Sequence, residues 1–219
     1  MNIAVDGPSG AGKSTLCRAL AKELGFIYVD TGAMYRAIAL YALEKGADLN
    51  SEEAMAALLP DIDLDLVYRD GEQRVYLCGR DVSDEIRTPE VSMATSAVSR
   101  FPAVRAFLLE SQRGLARRGD VLMDGRDIGT VVLPDAQLKI FLTASPEDRA
   151  RRRYEELILR GEEVSREQVL ADVIRRDQQD SSRLTAPLRP AEDAVVVDTS
   201  GNTFEESFRL LLDLVKERL

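Results

Sequence analysis

The segment from Gly7 to Thr15 reads GPSGAGKST and matches the phosphate-binding pattern G-x-x-x-x-G-K-[ST]. Glycines in this pattern let backbone N–H groups turn toward phosphate oxygens, and the following helix adds the positive end of its dipole. Lys13 would reach the β- and γ-phosphates of a nucleoside triphosphate, and the Ser14 hydroxyl would help to hold Mg²⁺. The motif predicts a triphosphate donor, but it leaves the acceptor open between water, a protein, a sugar and a second nucleotide.

Three further segments combine carboxylates with arginines. They are DTGAMYR from Asp30 to Arg36, DGRDIGTVV from Asp124 to Val132, and RRDQQDSSRLTAPL from Arg175 to Leu188. The first could also be an ordinary helix N-cap with a surface arginine. In the second, Arg126 could clamp a phosphate and Asp127 could accept hydrogen bonds from a base or sugar, unless the loop is satisfied by its own charges.

The third segment has a helical spacing. Arg176, Asp180 and Arg183 are separated by four and three residues, which places them on one face of a helix. Two guanidinium groups held by a carboxylate between them would suit phosphate binding. The spacing therefore favours a ligand site over a merely stable helix.

The composition narrows the chemistry. The chain has 219 residues and no histidine, which excludes a Ser-His-Asp triad, a Cys-His pair and histidine-ligated zinc. The formal net charge of -9 argues against a nucleic-acid partner. Four arginines nevertheless crowd one helix: Arg149, Arg151, Arg152 and Arg153. They predict either a basic pocket for a polyanionic small ligand or a solvated helix face.

The location of the protein is also constrained. No apolar run approaches the roughly 20 residues that a membrane-spanning helix needs, and IAVD follows Met1-Asn2 without a charged leader region. We therefore expect a cytoplasmic protein with no membrane partner. Without a long exposed apolar stripe, we expect a monomer. Cys17 and Cys78 are expected to be buried, reduced thiols.

The elements that must position these segments alternate between strand and helix. Apolar runs predict strands at 2–5, 26–29, 121–123, 138–142 and 194–197, and the main helices at about 13–24, 33–43, 51–59, 146–161, 165–183 and from 203 onward. This alternation predicts an α/β fold, a five-stranded parallel sheet with helices on both faces. Ligands of such sheets bind at the carboxyl ends of the strands, which here lead to Asp6, Asp30, Asp124 and Asp198.

One region breaks the alternation. Leu64–Tyr68 and Arg74–Cys78 predict two strands around Asp70-Gly71, which is a hairpin signal. Since hairpins are foreign to a parallel α/β chain, residues of about 61-87 are predicted to be an insertion with a small antiparallel β element. Thr88-Pro89 and Phe101-Pro102 then open two helices, the second running to about residue 118.

Hydrolysis of a nucleoside triphosphate and phosphoryl transfer are the competing reaction classes. The chain lacks the N-K-x-D motif of switch GTPases and the L-S-G-G-Q signature of transporter ATPases. The arginines outside the loop exceed what one triphosphate needs. A phosphate monoester acceptor needs no base, because its second pKa is about 6, and so a histidine-free site suits a nucleotide acceptor. An alcohol acceptor stays open, with Asp30, Asp124 or Asp127 as its base.

In their order along the chain, these motifs resemble those of the bacterial cytidylate kinases, a family of nucleoside monophosphate kinases. The resemblance covers essentially the whole length and rests on IAVDGPSGAGKST, DTGAMYRA, DVSDEIRTPEVSMATSAVSRFPAVR, DGRDIGTVVLPDA and RRDQQDSSRLTAPL. It implies a Mg²⁺-dependent, in-line transfer of the γ-phosphoryl group of ATP to CMP or dCMP, with UMP a poorer acceptor. Cytosine specificity comes from the resemblance alone.

The resemblance also implies roles for single residues. The implied catalytic residues are Lys13, Arg126, Arg176 and Arg183. The implied ATP-binding residues are Gly7, Pro8, Ser9, Gly10, Ala11, Gly12, Lys13, Ser14, Thr15 and Arg152, with Ser14 at the metal. The implied CMP-binding residues are Thr31, Arg36, Ser96, Arg105, Arg126, Asp127, Arg176, Asp180 and Arg183. This chain has GKST where some relatives have GKGT, and Thr31 where some carry serine.

The implied organisation is a single P-loop kinase domain, 1-219. Its core comprises 1-36 and 119-219, its monophosphate-binding lobe about 37-118, and its short helical lid about 148-165. Two alternatives remain. One is a kinase of the same fold that acts on another monophosphate or an alcohol, and the other is a phosphate-loop protein that binds nucleotide without turnover. The arginines outside the donor loop disfavour the second.

Overall fold

The computed structural model describes residues 1–69 and 72–219 of the chain. In these ranges the strands are β1 (Asn2–Asp6), β2 (Ile27–Asp30), β3 (Leu64–Arg69), β4 (Glu72–Leu77), β5 (Arg80–Asp81), β6 (Val121–Gly125), β7 (Leu138–Thr143) and β8 (Val195–Asp198). The α-helices are α1 (Lys13–Leu24), α2 (Thr31–Glu44), α3 (Glu52–Leu58), α4 (Pro89–Val98), α5 (Pro102–Ala116), α6 (Pro146–Leu159), α7 (Arg166–Ser181) and α8 (Phe204–Lys216).

Five strands form the main sheet, in the order β2-β6-β1-β7-β8. The sheet is parallel: β1 pairs in parallel with β6 and with β7, and β7 does so with β8. The register places Asp6 beside Gly125, so the carboxyl ends of the two central strands lie together. The predicted α/β class, with its five-stranded parallel sheet, is confirmed.

An apolar core holds helices against this sheet. Ile3 and Val5 of β1 and Ile140 of β7 are buried together with side chains of α1 and α8, among them Leu20 and Leu211. Nearly continuous burial of β1 and β6 is what a central parallel strand requires, because it is covered on both faces. The core thereby anchors β1 and α1 on either side of the phosphate-binding segment.

Local signals set the ends of several helices. α1 spans Lys13–Leu24 as predicted, between Gly12 and Gly25, whose φ values of 85° and 71° lie in the left-handed region. A capping box at Thr203 begins α8, where the sequence predicted a helix from 203 onward. α2 begins at Thr31 and not at Ala33, because the Asp30 carboxylate already caps the helix through the Ala33 N–H at 3.0 Å.

The chain forms two compact units, Met1–Tyr28 with Gly119–Leu219, and Val29–Arg118. The second unit contains a three-stranded antiparallel sheet in the order β3-β4-β5. The predicted antiparallel element is thus confirmed, and the sequence missed only the short β5. The predicted turn at Asp70-Gly71 lies outside the described residues.

The predicted burial of Cys78 and the predicted end of α7 were wrong. Cys17 is buried as predicted, but Cys78 is exposed and lies just beyond β4 with a φ of 49°, because the chain turns there toward β5. Within the described ranges no disulfide joins them. α7 ends at Ser181, so Arg183 lies past the helix and not on its face.

Across residues 1–69 and 72–219, no helix is both long enough and apolar enough to cross a bilayer.

Candidate active site

The phosphate-binding segment turns tightly between β1 and α1. At Gly7 a Cβ would stand 2.0 Å from the carbonyl oxygen of Leu142, the last buried residue of β7, and φ is 152°. At Gly10, where φ is 78°, a Cβ would stand 3.1 Å from the Cβ of Arg149. Only glycine fits such an approach. The loop is therefore packed closely against β7 and the first turn of α6.

Lys13 lies inside this loop, with 6% of its surface exposed. Its Nζ donates a hydrogen bond to the Pro8 carbonyl at 2.8 Å. Burial, together with the charge of the nearby Arg126, lowers the pKa of Lys13 to about 7, although Asp124 and Asp6 act in the opposite direction. The surroundings of Lys13 thus disfavour its protonated form, and the negative charge of phosphate oxygens in the loop would favour it again.

A carboxylate orients the next residue of the loop. The Ser14 hydroxyl donates to Asp124 Oδ2 at 2.9 Å, and the Tyr28 hydroxyl donates to Asp124 Oδ1 at 3.0 Å. Both Asp124 oxygens are hard ligands of the kind that Mg²⁺ prefers. In the described part of the chain, no group of three or more Cys, Asp or Glu side chains could hold a metal ion. A Mg²⁺ ion at Ser14 and Asp124 would therefore take its other ligands from phosphates and water.

A second cluster brings two of the predicted arginines together around Asp180. Arg126 Nε donates to Asp180 Oδ2 at 2.9 Å, and Arg183 NH2 donates to Asp180 Oδ1. Asp180 is 2% exposed. Burial alone would raise its pKa, but the charges of Arg126, Arg183 and Arg176 bring the pKa below its usual range. The predicted carboxylate between guanidinium groups is present, although α7 stops short of Arg183.

The arginine-rich helix α6 divides into two kinds of residue. Arg149 is buried and donates to the Ser9 carbonyl at 3.1 Å, to the Ala144 carbonyl at 2.9 Å, and to both oxygens of Asp177. Arg152 donates to the Thr199 carbonyl at 2.7 Å and lies 3.5 Å from the Ala11 carbonyl. These two arginines thus bind backbone carbonyl groups of the phosphate loop.

The other two arginines of the cluster pair along their own helix. Arg151 lies 3.3 Å from Asp148 and 3.2 Å from Glu155, and Arg153 lies 2.8 Å from Glu156. Exposed pairs at these spacings stabilise a helix by only about 0.3–0.5 kcal/mol. For Arg151 and Arg153 the structure therefore agrees with the plainer interpretation, a solvated helix face.

The unit Val29–Arg118 holds the remaining predicted CMP-binding residues. Thr31 is buried at the start of α2, and Arg36 one turn later donates to Asp30 Oδ2 at 2.8 Å. The buried Nε of Arg36 has no hydrogen-bond partner among the residues described. A buried N–H group without a hydrogen bond costs about 1–3 kcal/mol of stability. The Arg36 Nε–H group is therefore available for an acceptor on a ligand.

Two further residues of this unit lie on neighbouring helices. Arg105 on α5 is buried, donates to the Ser99 carbonyl at 2.9 Å and stands over the Tyr35 ring at 5.4 Å. Ser96 is half-buried on α4, close to that same carbonyl in sequence. The contacts of Arg105 hold its guanidinium in one orientation, as a specific hydrogen-bond donor requires.

Sequence reasoning missed three features of the unit formed by Met1–Tyr28 and Gly119–Leu219. Ile128–Val132 forms a π-helical turn directly after Asp127, which is itself buried. Asp6 receives hydrogen bonds from that turn, although its position at a strand end was the only signal available. Tyr28 and its bond to Asp124 had no sequence signal at all.

One solved structure supports the fold. The crystal structure of an uncharacterized protein from Eubacterium ventriosum aligns with a TM-score of 0.52, covers 100% of this chain and 99% of that chain, and is 10% identical. At that identity the likeness concerns the fold alone.

Sequence comparison reaches further. A family model described as cytidylate kinase matches residues 3–217. A cytidylate kinase from Pelotomaculum thermopropionicum is 53% identical over 212 residues, covering 96% of this chain and 94% of that protein. Another, from Carboxydothermus hydrogenoformans, is 51% identical over 215 residues, covering 98% and 97%. The phosphate loop, the Asp180 cluster and these matches agree with the resemblance first found in the motifs, and the chain belongs to the cytidylate kinase family.

Proposed function

We propose that this chain transfers the γ-phosphoryl group of ATP to CMP or dCMP and releases ADP with CDP or dCDP. The observation that carries the proposal is the pair of cationic clusters in one compact unit. One surrounds Lys13 in the phosphate loop, and the other surrounds Asp180. Donor and acceptor phosphates together supply the negative charge that both clusters can balance. The choice of cytosine as the acceptor's nucleobase rests on the names of the relatives, which are cytidylate kinases.

The reaction forms a bond between an acceptor phosphate oxygen and the γ-phosphorus while the bond to the β-bridging oxygen breaks. The acceptor phosphate is mostly dianionic near neutral pH, so no side chain has to remove a proton. Lys13 and the loop N–H groups bind the donor phosphates, and Arg126, Arg176 and Arg183 neutralise charge at the transferring group and at the acceptor. Positioning and charge neutralisation account for most of the catalysis in such reactions.

The oxygen pair of Ser14 and Asp124 fits a Mg²⁺ ion held together with ATP. The Ser14 hydroxyl would be a direct ligand, and Asp124 would orient that hydroxyl or a metal-bound water. When bound, Mg²⁺ neutralises charge on the β- and γ-phosphate oxygens. Asp124 itself is held by Tyr28, so its carboxylate is set before the nucleotide arrives.

We expect Asp124→Asn to raise the Mg²⁺ concentration for half-maximal rate about tenfold or more, because supporting carboxylates typically contribute that much to metal affinity. Turnover titrated with Mg²⁺ at saturating ATP and CMP measures this. A second readout is the shift in unfolding temperature that Mg²⁺ causes in the presence of a non-hydrolysable ATP analogue. The exposed Asp135 of the same unit, as Asp135→Asn, is the matched control. Equal Mg²⁺ dependence of the two variants would contradict the assignment.

On the acceptor side, we assign Thr31, Arg36, Ser96, Arg105 and Asp127 to CMP. The orphaned Nε of Arg36 supports this, because it lacks the acceptor that a phosphate or base would supply. Cytosine presents an amino donor beside ring acceptors, which a carboxylate or hydroxyl can read together with an arginine. A pocket of buried hydrogen-bonding groups can discriminate strongly, because a wrong base leaves those groups unpaired.

A panel of acceptors tests the proposal. ADP release is measured with ATP and Mg²⁺ in the presence of CMP, dCMP, UMP, AMP, GMP or simple alcohols. We expect the largest kcat/KM with CMP and dCMP and a smaller value with UMP. Fast turnover with AMP but not with CMP would overturn the specificity. ATP binding without turnover on any acceptor would favour a nucleotide-binding module.

The proposal includes the finer organisation expected from the sequence. The core is assigned to 1-36 and 119-219, the monophosphate-binding lobe to about 37-118, and the lid to about 148-165. The monomeric state and the cytoplasmic location likewise stay predictions.

A further inference from the structure

Asp6 is a buried carboxylate to which the reaction assigns no role. It is the last residue of β1 and directly precedes Gly7 of the phosphate loop, and only 4% of it is exposed. Its two carboxylate oxygens accept hydrogen bonds from a different segment. Oδ1 accepts the N–H of Ile128 and Oδ2 accepts the N–H of Gly129, each at 2.8 Å. The two partners lie 122 and 123 residues away in sequence.

These bonds satisfy the start of the π-helical turn Ile128–Val132. The first N–H groups of any helical turn find no partner within the turn itself. A carboxylate that accepts two backbone N–H groups makes charge-assisted bonds, about twice as strong as neutral ones. Asp6 therefore acts as a cap supplied by a neighbouring strand, and it ties the turn to the end of β1.

The same residue also holds the chain just before the turn. In the parallel pairing of β1 with β6, Asp6 lies beside Gly125. Its backbone position thus fixes the residue before Arg126, and its side chain fixes the two residues after Asp127. The segment that carries Arg126 and Asp127 is held at both of its ends by Asp6.

Packing around the turn leaves little freedom. A Cβ at Gly129 would stand 3.2 Å from Lys139 Cδ and 3.4 Å from Asp6 Oδ2, so the turn lies close to both side chains. Arg126 in turn makes its 2.9 Å bond to the buried Asp180. A shift of the turn would therefore also move Arg126 relative to Asp180.

We propose that Asp6 is a positioning residue for the acceptor, because its carboxylate fixes the turn Ile128–Val132 and so places Arg126 and Asp127. The inference rests on the proposed function, in which these two residues contact CMP. Asp6 acts through the turn and touches no reacting atom.

Burial and the two N–H groups act on the charge of Asp6 in opposite directions. Burial, with a smaller contribution from the nearby Asp127, raises the pKa of Asp6 to about 7. The N–H groups of Gly129 and Ile128, and the charge of Lys13, act in the opposite direction. The ionised form depends on those N–H groups, and a neutral side chain at this position would give up at least one of the two bonds.

The test compares Asp6→Asn and Asp6→Glu with wild type. Asparagine keeps the shape but directs an N–H₂ group at one backbone N–H, and glutamate keeps the charge but moves it by one methylene. We expect the KM for CMP to rise about ten- to a hundredfold in Asp6→Asn, since small misplacements of binding groups have effects of that size. The Kd of ATP should change much less than the KM for CMP. The rise of the KM for CMP should be smaller in Asp6→Glu. If Asp6→Asn does not fold, Asp6→Glu alone is compared with wild type.

Hydrogen exchange gives a readout that does not need turnover. In Asp6→Asn the amides of residues 126–133 should exchange faster, whereas those of β7 should not, and Asp135→Asn serves as the control. Unchanged exchange in this segment overturns the inference, as does a KM for CMP equal to that of the control in both variants. A wild type that cannot phosphorylate CMP defeats the proposed function instead, while the exchange measurement still decides whether Asp6 holds the turn.

Discussion

We expect Lys13→Met to lower kcat for phosphoryl transfer by about a thousandfold, with little change in the KM for CMP. Removing one preorganised donor from a developing charge costs about 10²–10³ in kcat, and the charge of bound phosphates would favour the protonated form of Lys13. Its Nζ lies at the Pro8 carbonyl in the absence of nucleotide. Steady-state rates with ATP and CMP varied in turn measure both constants. Lys22→Met, an exposed change in the last turn of the same helix, is the matched control.

The same substitution should stabilise the nucleotide-free protein. Burial lowers the pKa of Lys13 to about 7 from an unfolded value near 10.4. Between these two pH values the unfolded chain binds more protons than the folded protein. The buried charge of Lys13 therefore lowers the free energy of unfolding fully below pH 7, and this loss of stability disappears as pH rises toward 10. We expect methionine to raise the unfolding temperature at pH 6, and the difference from wild type to shrink at pH 9. A KM for CMP that rises as steeply as kcat falls would place Lys13 at the acceptor instead.

Asp180→Ala should be the most destabilising change in the second cluster and should raise the KM for CMP about tenfold or more. Arg126 and Arg183 would lose a shared counter-charge, and removing one partner of a buried ion pair costs about 3–5 kcal/mol of unfolding free energy. Their side chains are only 22% and 10% exposed, so water compensates poorly. Denaturant unfolding measures the first effect, and acceptor kinetics measure the second.

Two further variants separate the effects on stability and binding. Asp180→Asn keeps the shape of the side chain, so any rise of the KM for CMP reports the lost charge. Asp172→Asn removes an exposed carboxylate of the same helix, whose bond to Arg175 is solvated. Because the pKa of Asp180 is lowered by its partners, its contribution to stability is present above about pH 4 and is lost as pH falls further. A KM for CMP unaltered in Asp180→Ala would show that α7 does not serve the acceptor.

Local signals explain what could be predicted from the sequence. α1 was bounded correctly because glycines in left-handed conformations stand at both of its ends. Helical spacing correctly placed Arg176 and Asp180 together on α7. It did not predict that Arg126 would reach Asp180 from a distant segment, or that Arg183 would do so from beyond the helix end. At Cys78 the apolar run continued for one residue beyond the strand, because a pattern of side chains cannot show where the backbone begins to turn.

Contacts across long stretches of sequence could not be predicted. Nothing local distinguishes Asp6 from the other aspartates that end strands, yet its carboxylate holds the turn after β6. The four arginines of α6 were likewise equivalent in sequence. The geometry separates them, since Arg149 reaches Ser9 and Asp177 while Arg151 pairs with Asp148 and Glu155. Such assignments depend on which elements lie side by side.

The anchoring of α6 has a thermodynamic consequence for the two substrates. Arg149 joins the carbonyl of Ser9 to Asp177 on α7, and apolar side chains such as Leu157 and Val173 hold α6 and α7 together. α7 also carries Asp180. If ATP binding in the phosphate loop tilts this helix pair, the tilt would therefore also move Asp180 and its cluster. Linkage is reciprocal, so the factor by which bound ATP tightens CMP equals the factor by which bound CMP tightens ATP.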